Sequence, residues 1–263
     1  MKRVFITGAS SGIGAALARR YAEQGAVLGL VARRKQTLEQ LAVDLPNSGQ
    51  HRIYALDVTD HAALAAAAAD FVAAMGGVDV VIANAGISRG TLTEYTQDLR
   101  VFERIIATNV VATVATFAPF IATLRAQAQS GNRNCRLVGI GSVAGIRGLP
   151  GAGAYSASKA AVISYCESLR VELKNSGVKV VTIMPGYIDT PMTQSNSYPM
   201  PFLMPAGKFA VRAVAAIDAG ISDAVIPWQM GLVARLLRLL PNWLYDLAFS
   251  KAPHKARNAP EQR

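Results

Sequence analysis

Short runs of apolar, β-branched residues alternate along this chain with stretches that have the apolar spacing of helices. The runs predict strands at residues 3–7, 26–32, 51–57, 78–83, 136–141, 178–184 and 224–226. The stretches between them predict helices at residues 12–24, 35–45, 62–75, 98–129, 152–175 and 206–219. Apolar strands that alternate with helices are typical of a parallel sheet covered on both faces. The pattern therefore predicts an α/β protein with a doubly wound parallel sheet of about seven strands.

The length of 263 residues suits one large α/β domain and is short for two. We predict a single domain over residues 1–227, followed by a C-terminal extension over residues 228–263. Residues 105–124 are uncharged and long enough to span a bilayer. Because this stretch contains Asn109, several threonines and Pro119, we interpret it as a buried helix of the sheet protein.

The charged and metal-ligating residues restrict the possible partners. A net charge of +10 suits nucleic acid, a membrane surface or an anionic cofactor, but no nucleic-acid motif accompanies it. An anionic cofactor and an anionic membrane are the better-motivated partners, and most of the charge is expected on solvated surface. Cys135 and Cys166 resemble neither a disulfide framework nor a metal cluster, and the three histidines are scattered. We therefore expect a cytoplasmic location and no metal site.

Polar and glycine-rich residues follow the predicted strand ends. In doubly wound sheets, ligands bind beyond the carboxyl ends of the strands. The residues that fall there are 8–14, 33–34, 57, 84–86, 142 and 185–190. This coincidence predicts a binding site along that edge of the sheet.

A tyrosine and a lysine lie four residues apart in the predicted helix 152–175. Tyr155 and Lys159 therefore share one face of the helix, one turn apart. An ammonium beside a phenol favours the phenolate and lowers the pKa of the tyrosine, which makes the phenol usable as a general acid or base. Ser142, at the end of the preceding strand, could hydrogen-bond the oxygen whose proton moves. These residues predict a proton-transfer site for an alcohol/carbonyl pair.

The first strand and helix are joined by a glycine-rich loop, Thr7-Gly8-Ala9-Ser10-Ser11-Gly12-Ile13-Gly14. Glycines there permit a tight turn, and the helix N-terminus offers N–H groups to a pyrophosphate. The spacing departs from G-x-G-x-x-G, so a purely structural turn stays an alternative.

Dinucleotide choice is set after the second strand, where a carboxylate would bind a ribose 2′-hydroxyl and an arginine suits a 2′-phosphate. Here the strand ends at Arg33 and Arg34 with no carboxylate. The sequence favours NADP, with Arg33 the first candidate and Arg34 the second. Two solvated arginines at a helix start are the alternative.

These motifs together resemble the short-chain dehydrogenase/reductase family, whose members have a Rossmann fold. The motifs are Thr7-Gly8-x-x-x-Gly12-x-Gly14, Asp57-Val58, Asn84-Ala85-Gly86, Asn109, Ser142, Tyr155-x-x-x-Lys159 and Pro185-Gly186-x-x-x-Thr190. They occur in the family's order over residues 3–190. Ala83 departs from the pattern, since many members carry an additional asparagine there.

The resemblance implies a role for each catalytic residue. Tyr155 would be the acid/base, and Lys159 would lower its pKa and bind the nicotinamide ribose. Ser142 would orient the substrate oxygen, and Asn109 would hold a water that leads to the lysine. A structural role for Asn109, bonding backbone in a buried helix, is the alternative.

The resemblance also implies a set of cofactor-binding residues. They are Thr7, Gly8, Ser10, Ser11, Gly12, Ile13, Gly14, Arg33, Arg34, Asp57, Val58, Asn84, Ala85, Gly86, Tyr155, Lys159, Pro185, Gly186, Ile188 and Thr190. Asp57 and Val58 would lie by the adenine, and Ile188 and Thr190 by the nicotinamide carboxamide. Asp57 has the alternative role of a turn former.

Two further segments bear on substrate binding and on contacts with other molecules. Residues 187–209 resemble the family's substrate lid, and their Met, Phe and Leu suggest an apolar pocket, although a lid that only packs on the core is the alternative. The mouth is expected to be lined by Ile87, Arg89, Ile146, Arg147 and Leu149. Residues 231–240 form an amphipathic helix that suits a membrane interface. Packing of that helix on its own core or on a second subunit is the favoured alternative.

We therefore predict an NADP(H)-dependent oxidoreductase that acts on a carbonyl/secondary alcohol pair of an apolar substrate. One alternative is a 3-oxoacyl thioester reductase (acyl carrier protein or CoA), in which Arg89 or Arg147 meets an acidic carrier protein. Another alternative is a non-catalytic NADP-sensing protein, which the presence of the acid/base pair disfavours. The resemblance implies a homo-oligomer, a dimer or tetramer, formed through helices 98–129 and 152–175.

Overall fold

Seven parallel strands form the central sheet of the computed structural model, which describes residues 1–194, 196, 198–250, 255 and 257. The sheet strands are β1 (Arg3–Thr7), β2 (Val27–Ala32), β3 (Arg52–Ala55), β4 (Val80–Ala83), β5 (Arg136–Ile140), β6 (Lys179–Pro185) and β9 (Asp223–Ile226). Their spatial order is β3-β2-β1-β4-β5-β6-β9. Successive strands are added outward in one direction from β1 to β3 and in the other direction from β4 onward, so the strand order reverses between β1 and β4. Two short strands, β7 (Ile188–Asp189) and β8 (Met204–Pro205), pair with each other beside the sheet. The doubly wound parallel sheet is confirmed.

Helices connect these strands and cover both faces of the sheet. They are α1 (Gly12–Glu23), α2 (Lys35–Asp44), α3 (His61–Met75), α4 (Asp98–Ile106), α5 (Ala112–Phe117), α6 (Ile121–Gln129), α7 (Gly153–Glu172), α8 (Pro191–Gln194), α9 (Ala206–Ala219), α10 (Trp228–Leu239) and α11 (Asn242–Phe249). Two apolar clusters result, because each strand of a parallel sheet buries side chains on both faces. One lies under α1, α2 and α9, and the other under α3, α5, α6 and α7.

The predicted helix 98–129 is one continuous helical run with two irregular segments. A π-helical segment at Ala107–Val111 separates α4 from α5, and a 3₁₀ turn at Ala118–Phe120 contains the proline that predicted a kink. The run is long and apolar enough to cross a membrane by length and composition, and it connects β4 to β5 across the sheet. Only 39% of its most apolar window is buried, so the prediction of a buried helix holds for one face.

The C-terminal extension differs from its prediction. The predicted helix 231–240 begins earlier, since α10 starts directly after Pro227, and a second helix, α11, follows Pro241. Proline is well suited to the position before a helix, where its missing N–H has no intrahelical partner to lose. Predicted strands 51–57 and 78–83 are each shorter in the structure, where they cover Arg52–Ala55 and Val80–Ala83.

A buried ion pair closes the amino end of the sheet, opposite the end where the candidate site lies. The Asp79 carboxylate accepts hydrogen bonds from the Arg3 backbone N–H (2.8 Å) and from the Arg3 guanidinium (2.7 and 3.0 Å). Asn132 donates a further bond of 2.7 Å to the same carboxylate. Burial raises the pKa of Asp79, but these hydrogen bonds outweigh it, and the net pKa lies below its ordinary value.

We expect Asp79→Ala to lower the free energy of unfolding by about 3 kcal/mol, because it breaks a buried pair and leaves the Arg3 guanidinium without its carboxylate. Urea denaturation at pH 7 measures this difference. A carboxyl group with a lowered folded pKa stabilises the protein above its unfolded pKa and loses that effect as the pH falls through the folded pKa. The gap between wild type and variant should therefore shrink in acid. An equal loss in the exposed-site control Asp223→Ala would contradict the assignment.

Candidate active site

The carboxyl ends of β1 and β4 meet where the strand order reverses, which is the ligand-binding position of doubly wound sheets. The glycine-rich turn after β1 approaches the turn after β4 so closely that side chains are excluded. A Cβ on Gly8 would lie 2.8 Å from the Ala85 Cα, and one on Gly14 would lie 2.2 Å from the Gly8 carbonyl oxygen. Gly8 and Gly12 also have positive φ angles, of 68° and 55°. Glycine is therefore required for this turn.

Hydrogen bonds fix the two turns against each other. The Asn84 side-chain amide donates to the carbonyls of Thr7 (3.0 Å) and Gly8 (3.2 Å). The Thr7 hydroxyl in turn accepts from the backbone N–H groups of Asn84 (3.1 Å) and Ala85 (3.2 Å). The first turn of α1 follows, and its Ser11 cap makes no side-chain hydrogen bond. Its N–H groups, together with the glycine cradle, fit the pyrophosphate of a dinucleotide.

The two arginines after β2 lie beside this cradle. The Arg34 guanidinium donates to the Ser10 hydroxyl at 3.1 Å, and Arg33 lies 3.7 Å from the Asp57 carboxylate. Asp57 also accepts two bonds from Thr59, through its N–H (3.0 Å) and its hydroxyl (2.8 Å). The turn-forming role of Asp57 is therefore present, and it sits next to the arginine that would meet a 2′-phosphate.

Ser142, Tyr155 and Lys159 are brought together by the turn that joins β5 to α7. Gly145 lies so close to α7 that a Cβ there would meet the Lys159 carbonyl carbon at 2.7 Å, so only glycine permits this packing. The Lys159 ammonium donates to the Ile140 carbonyl at 2.7 Å and lies 5.8 Å from the centre of the Tyr155 ring. Sequence reasoning missed Gly145, because its contact with the helix backbone is tertiary.

The charge state of this group differs from the sequence-based expectation. Burial lowers the pKa of Lys159 to about 8. Burial also raises the pKa of Tyr155, and a hydrogen bond with Ser142 only partly opposes that rise. The net pKa of Tyr155 is therefore raised and not lowered as the sequence predicted, because desolvation disfavours the phenolate.

A buried hydrogen-bonded chain locks Tyr155 to the turn after β4. Asn109, in the π-helical segment, accepts from the Ile87 N–H (2.8 Å) and donates to the Ile87 carbonyl (3.0 Å). Its amide also donates to the Ser158 hydroxyl at 2.9 Å, and that hydroxyl donates to the Tyr155 carbonyl at 2.7 Å. The sequence predicted Asn109 but missed Ser158, although Ser158 lies inside the Tyr-x-x-x-Lys motif.

The remaining predicted residues lie elsewhere along the carboxyl edge of the sheet or are buried beneath it. A Cβ on Gly12 would lie 3.3 Å from the Thr190 side chain, so the start of the lid adjoins the glycine turn. Gly186 is covered by α10, since a Cβ there would meet Met230 at 2.7 Å. Val58 and Ile188 are buried in the two apolar clusters. Ile13, Gly86 and Pro185 lie on the same carboxyl edge.

The lid segment 187–209 partly packs and partly faces solvent. Tyr187 and Tyr198 form an edge-to-face pair with ring centres 6.4 Å apart. Met204 is buried against the core, whereas Phe202 and Leu203 are about half exposed. Met204 therefore packs on the core, whereas contact of Phe202 and Leu203 with a substrate stays a prediction.

Arg147 does not line the mouth as a free cation. Its guanidinium donates to the carbonyls of Leu237 and Leu240 (2.8 Å for the latter) at the end of α10. It also stacks 3.9 Å from the centre of the Tyr245 ring, and the Tyr245 hydroxyl donates to the Gly148 carbonyl. Because a helix C-terminus already engages Arg147, the structure favours Arg89 over Arg147 for the predicted contact with a carrier protein. Arg89 is exposed.

No cluster of three or more His, Cys, Asp or Glu that could hold a metal ion occurs among the described residues. Both cysteines are buried free thiols. Hydroxyl, phenol, amine and backbone groups lie at this edge, in Ser142, Tyr155, Lys159 and the glycine-rich turn.

Comparisons with known proteins agree with this geometry. Residues 2–200 match the family described as short chain dehydrogenase. An uncharacterized oxidoreductase of Myxococcus xanthus is 36% identical over 248 residues, which cover 94% of this chain and 96% of that protein. A 2-dehydro-3-deoxy-L-rhamnonate dehydrogenase (NAD(+)) of Sphingomonas is 36% identical over 190 residues, 71% of this chain and 72% of that one.

A solved structure extends the comparison to three dimensions. It is the 3-ketoacyl-(acyl-carrier-protein) reductase of Brucella melitensis complexed with NADH, which is 27% identical and has a TM-score of 0.77. The match covers 85% of this chain and 94% of that one. From the family match, the relatives and the fold, the chain is an oxidoreductase that belongs to the short chain dehydrogenase family.

Proposed function

We propose that this protein is an NADP(H)-dependent oxidoreductase that reduces a carbonyl of an apolar substrate to a secondary alcohol. The observation that carries the proposal is the placement of Ser142, Tyr155 and Lys159 beside the glycine cradle at the switch point of the sheet. A reduced nicotinamide cofactor bound in that cradle supplies a hydride to the carbonyl carbon. The protein supplies position and the proton.

The buried Tyr155 phenol is suited to donate the proton. Burial raises the pKa of Tyr155, so its hydroxyl stays protonated at neutral pH and can donate to the substrate oxygen. Ser142 holds that oxygen, and the Lys159 ammonium stabilises the phenolate that remains after donation. The Ile140 carbonyl and the Asn109 network hold the lysine and the tyrosine in place.

The preference for NADP over NAD rests on Arg33 and Arg34. Both are exposed beside the cradle, and Arg34 already contacts its Ser10 hydroxyl. Asp57, the carboxylate that pairs with Arg33, is also engaged by Thr59. Two guanidinium groups there favour a 2′-phosphate. The Brucella reductase structure contains NADH and the name of the Sphingomonas relative gives NAD(+), so kinetics with both cofactors test the preference.

A second candidate substrate is a 3-oxoacyl thioester. The Brucella reductase, which acts on an acyl-carrier-protein substrate by its name, favours it. Exposed Arg89 at the mouth would meet the acidic carrier. A non-catalytic NADP sensor is the weaker alternative, since it has no need of the phenol and ammonium.

We further propose a homo-oligomer in the cytoplasm. The outer faces of α4, the π-helical segment, α5 and α7 expose apolar side chains that suit a subunit interface, namely Leu99, Phe102, Val111, Val114 and Val171.

Tyr155→Phe should lower kcat for NADPH-dependent carbonyl reduction by about 10³-fold, because it removes the proton donor. The dissociation constant of NADPH should stay within a few-fold, since the ring and the helix remain. Stopped-flow turnover and fluorescence titration of NADPH measure the two quantities. Tyr165→Phe on the same helix is the matched control, and full activity in Tyr155→Phe would refute the assignment of the acid.

The double substitution Arg33→Ala/Arg34→Ala should raise the KM for NADPH by about tenfold or more, because it removes the charges that pair with the 2′-phosphate. The KM for NADH should change little. Steady-state kinetics with both cofactors tests this, with Lys35→Ala as the control. A wild-type enzyme that prefers NADH would overturn the cofactor proposal.

The pH dependence of kcat/KM should follow the protonation of Lys159. A lysine with a pKa of about 8 is charged below that pH and loses its proton as the pH rises through it. We expect kcat/KM for reduction to fall above about pH 8, since neutral Lys159 no longer stabilises the phenolate. Lys159→Arg keeps its charge, so its residual activity should lack this limb. If kcat/KM of that variant falls above the same pH, the fall must be due to another group.

A further inference from the structure

The two C-terminal helices bury one stripe of side chains and expose another. On α10 the buried stripe is formed by small or flexible residues, namely Met230, Gly231 and Ala234. The residues on the opposite side of each helix are large and apolar, and we call them the C-terminal apolar surface. They are Trp228, Leu232, Leu236 and Leu239 of α10 and Trp243 and Leu247 of α11.

These side chains are strongly exposed for their type. Leu239 is 80% exposed, Leu247 73%, Trp243 68% and Leu236 65%. Their spacings of three and four residues place them on one side of each helix, opposite the buried Ala234 and Tyr245. Packing of the apolar arc on the chain's own core was one favoured expectation, but α10 packs on this chain through its small residues and its exposed leucines face outward. Packing on a second subunit stays a prediction.

Arg147 holds both helices at the same corner of the molecule. It binds the C-terminal carbonyls of α10 and stacks on Tyr245 of α11. The packing of α10 against Gly186 and the turn after Ser142 places this corner beside the candidate active site. The helices that carry the apolar surface therefore adjoin the cleft that substrate would enter.

The charges around this surface are mostly positive. Arg235 and Arg238 are exposed and flank the leucine stripe, and Asp246 is the one acidic residue between positions 228 and 250. A symmetric contact with a second copy would bring the same arginines together with few carboxylates to pair them.

We propose that the C-terminal apolar surface docks on the interface of an anionic lipid bilayer. Leucine side chains would enter the acyl boundary, tryptophans would lie at the headgroup level, and the arginines would meet lipid phosphates. The twelve-residue α10 is about 18 Å long, too short to span about 30 Å of hydrocarbon, so the helices lie along the surface. This inference is independent of the proposed oxidoreductase activity. It predicts only that the cleft is positioned next to a membrane surface.

The two tryptophans of the chain provide a direct test, because both belong to this surface. The full chain is mixed with vesicles of phosphatidylglycerol and phosphatidylcholine, or of phosphatidylcholine alone. We expect a blue shift of tryptophan emission, quenching by brominated acyl chains, and flotation with the anionic vesicles. No shift and no flotation would overturn the proposal.

Variants separate the apolar and charged contributions. Leu236→Glu/Leu239→Glu should lower binding to anionic vesicles at least tenfold, whereas the exposed apolar control Val43→Glu on α2 should not. Arg235→Gln/Arg238→Gln should weaken binding several-fold to anionic vesicles only, compared with Arg125→Gln/Arg212→Gln. Circular dichroism verifies that each variant is folded. Equal losses in the control variants would contradict the proposal.

A second copy as the occupant would give a different result. Tryptophan emission would then shift with protein concentration in the absence of lipid, and Leu236→Glu/Leu239→Glu would change the mass measured by light scattering. That outcome would also overturn the proposal. Because none of these readouts measures turnover, an inactive enzyme would leave the result interpretable.

Discussion

The candidate site depends on one buried chain of hydrogen bonds, which runs from the Ile87 backbone through Asn109 and Ser158 to the Tyr155 carbonyl. Asn109 and Ser158 are almost fully buried, so each bond that is lost would leave a polar group without a partner, at a cost of about 1–3 kcal/mol. The chain joins three elements that are far apart in sequence: the turn after β4, the π-helical segment and α7. It thereby fixes the rotation of α7 that directs Tyr155 and Lys159 to the cleft.

The sequence predicted the fold and most residues at the carboxyl edge, because strand periodicity and strand-end chemistry are local signals. The glycine turn, Arg34 and Asn84 all lie where that reasoning places them. Gly145 and Ser158 were missed, since their importance comes from close contact between elements that the sequence does not bring together. The pKa of Tyr155 was also mispredicted, because a four-residue spacing gives proximity to Lys159 but not the depth at which both groups are buried.

The C-terminal helices illustrate a second limit of sequence reasoning. An apolar arc normally predicts the buried face of a helix. Here Gly231 and Ala234 pack against the body instead, since small residues let backbones approach closely, and a Cβ on Gly231 would already lie 3.1 Å from the Val225 Cβ. The larger leucines are therefore left on the outside. Residue size, rather than hydrophobicity alone, decided which side faces the protein.

The contact of Arg147 with the end of α10 separates two kinds of sensitivity in this region. Arg147 anchors the helix through hydrogen bonds to backbone carbonyls, whereas burial lowers the pKa of the Lys159 ammonium in the cleft to about 8. Mild alkali would therefore change the chemistry of the cleft without releasing the helices beside it. Lys159 therefore carries the response to pH and Arg147 the anchoring of the helices, although both residues lie in the same loop and helix after β5.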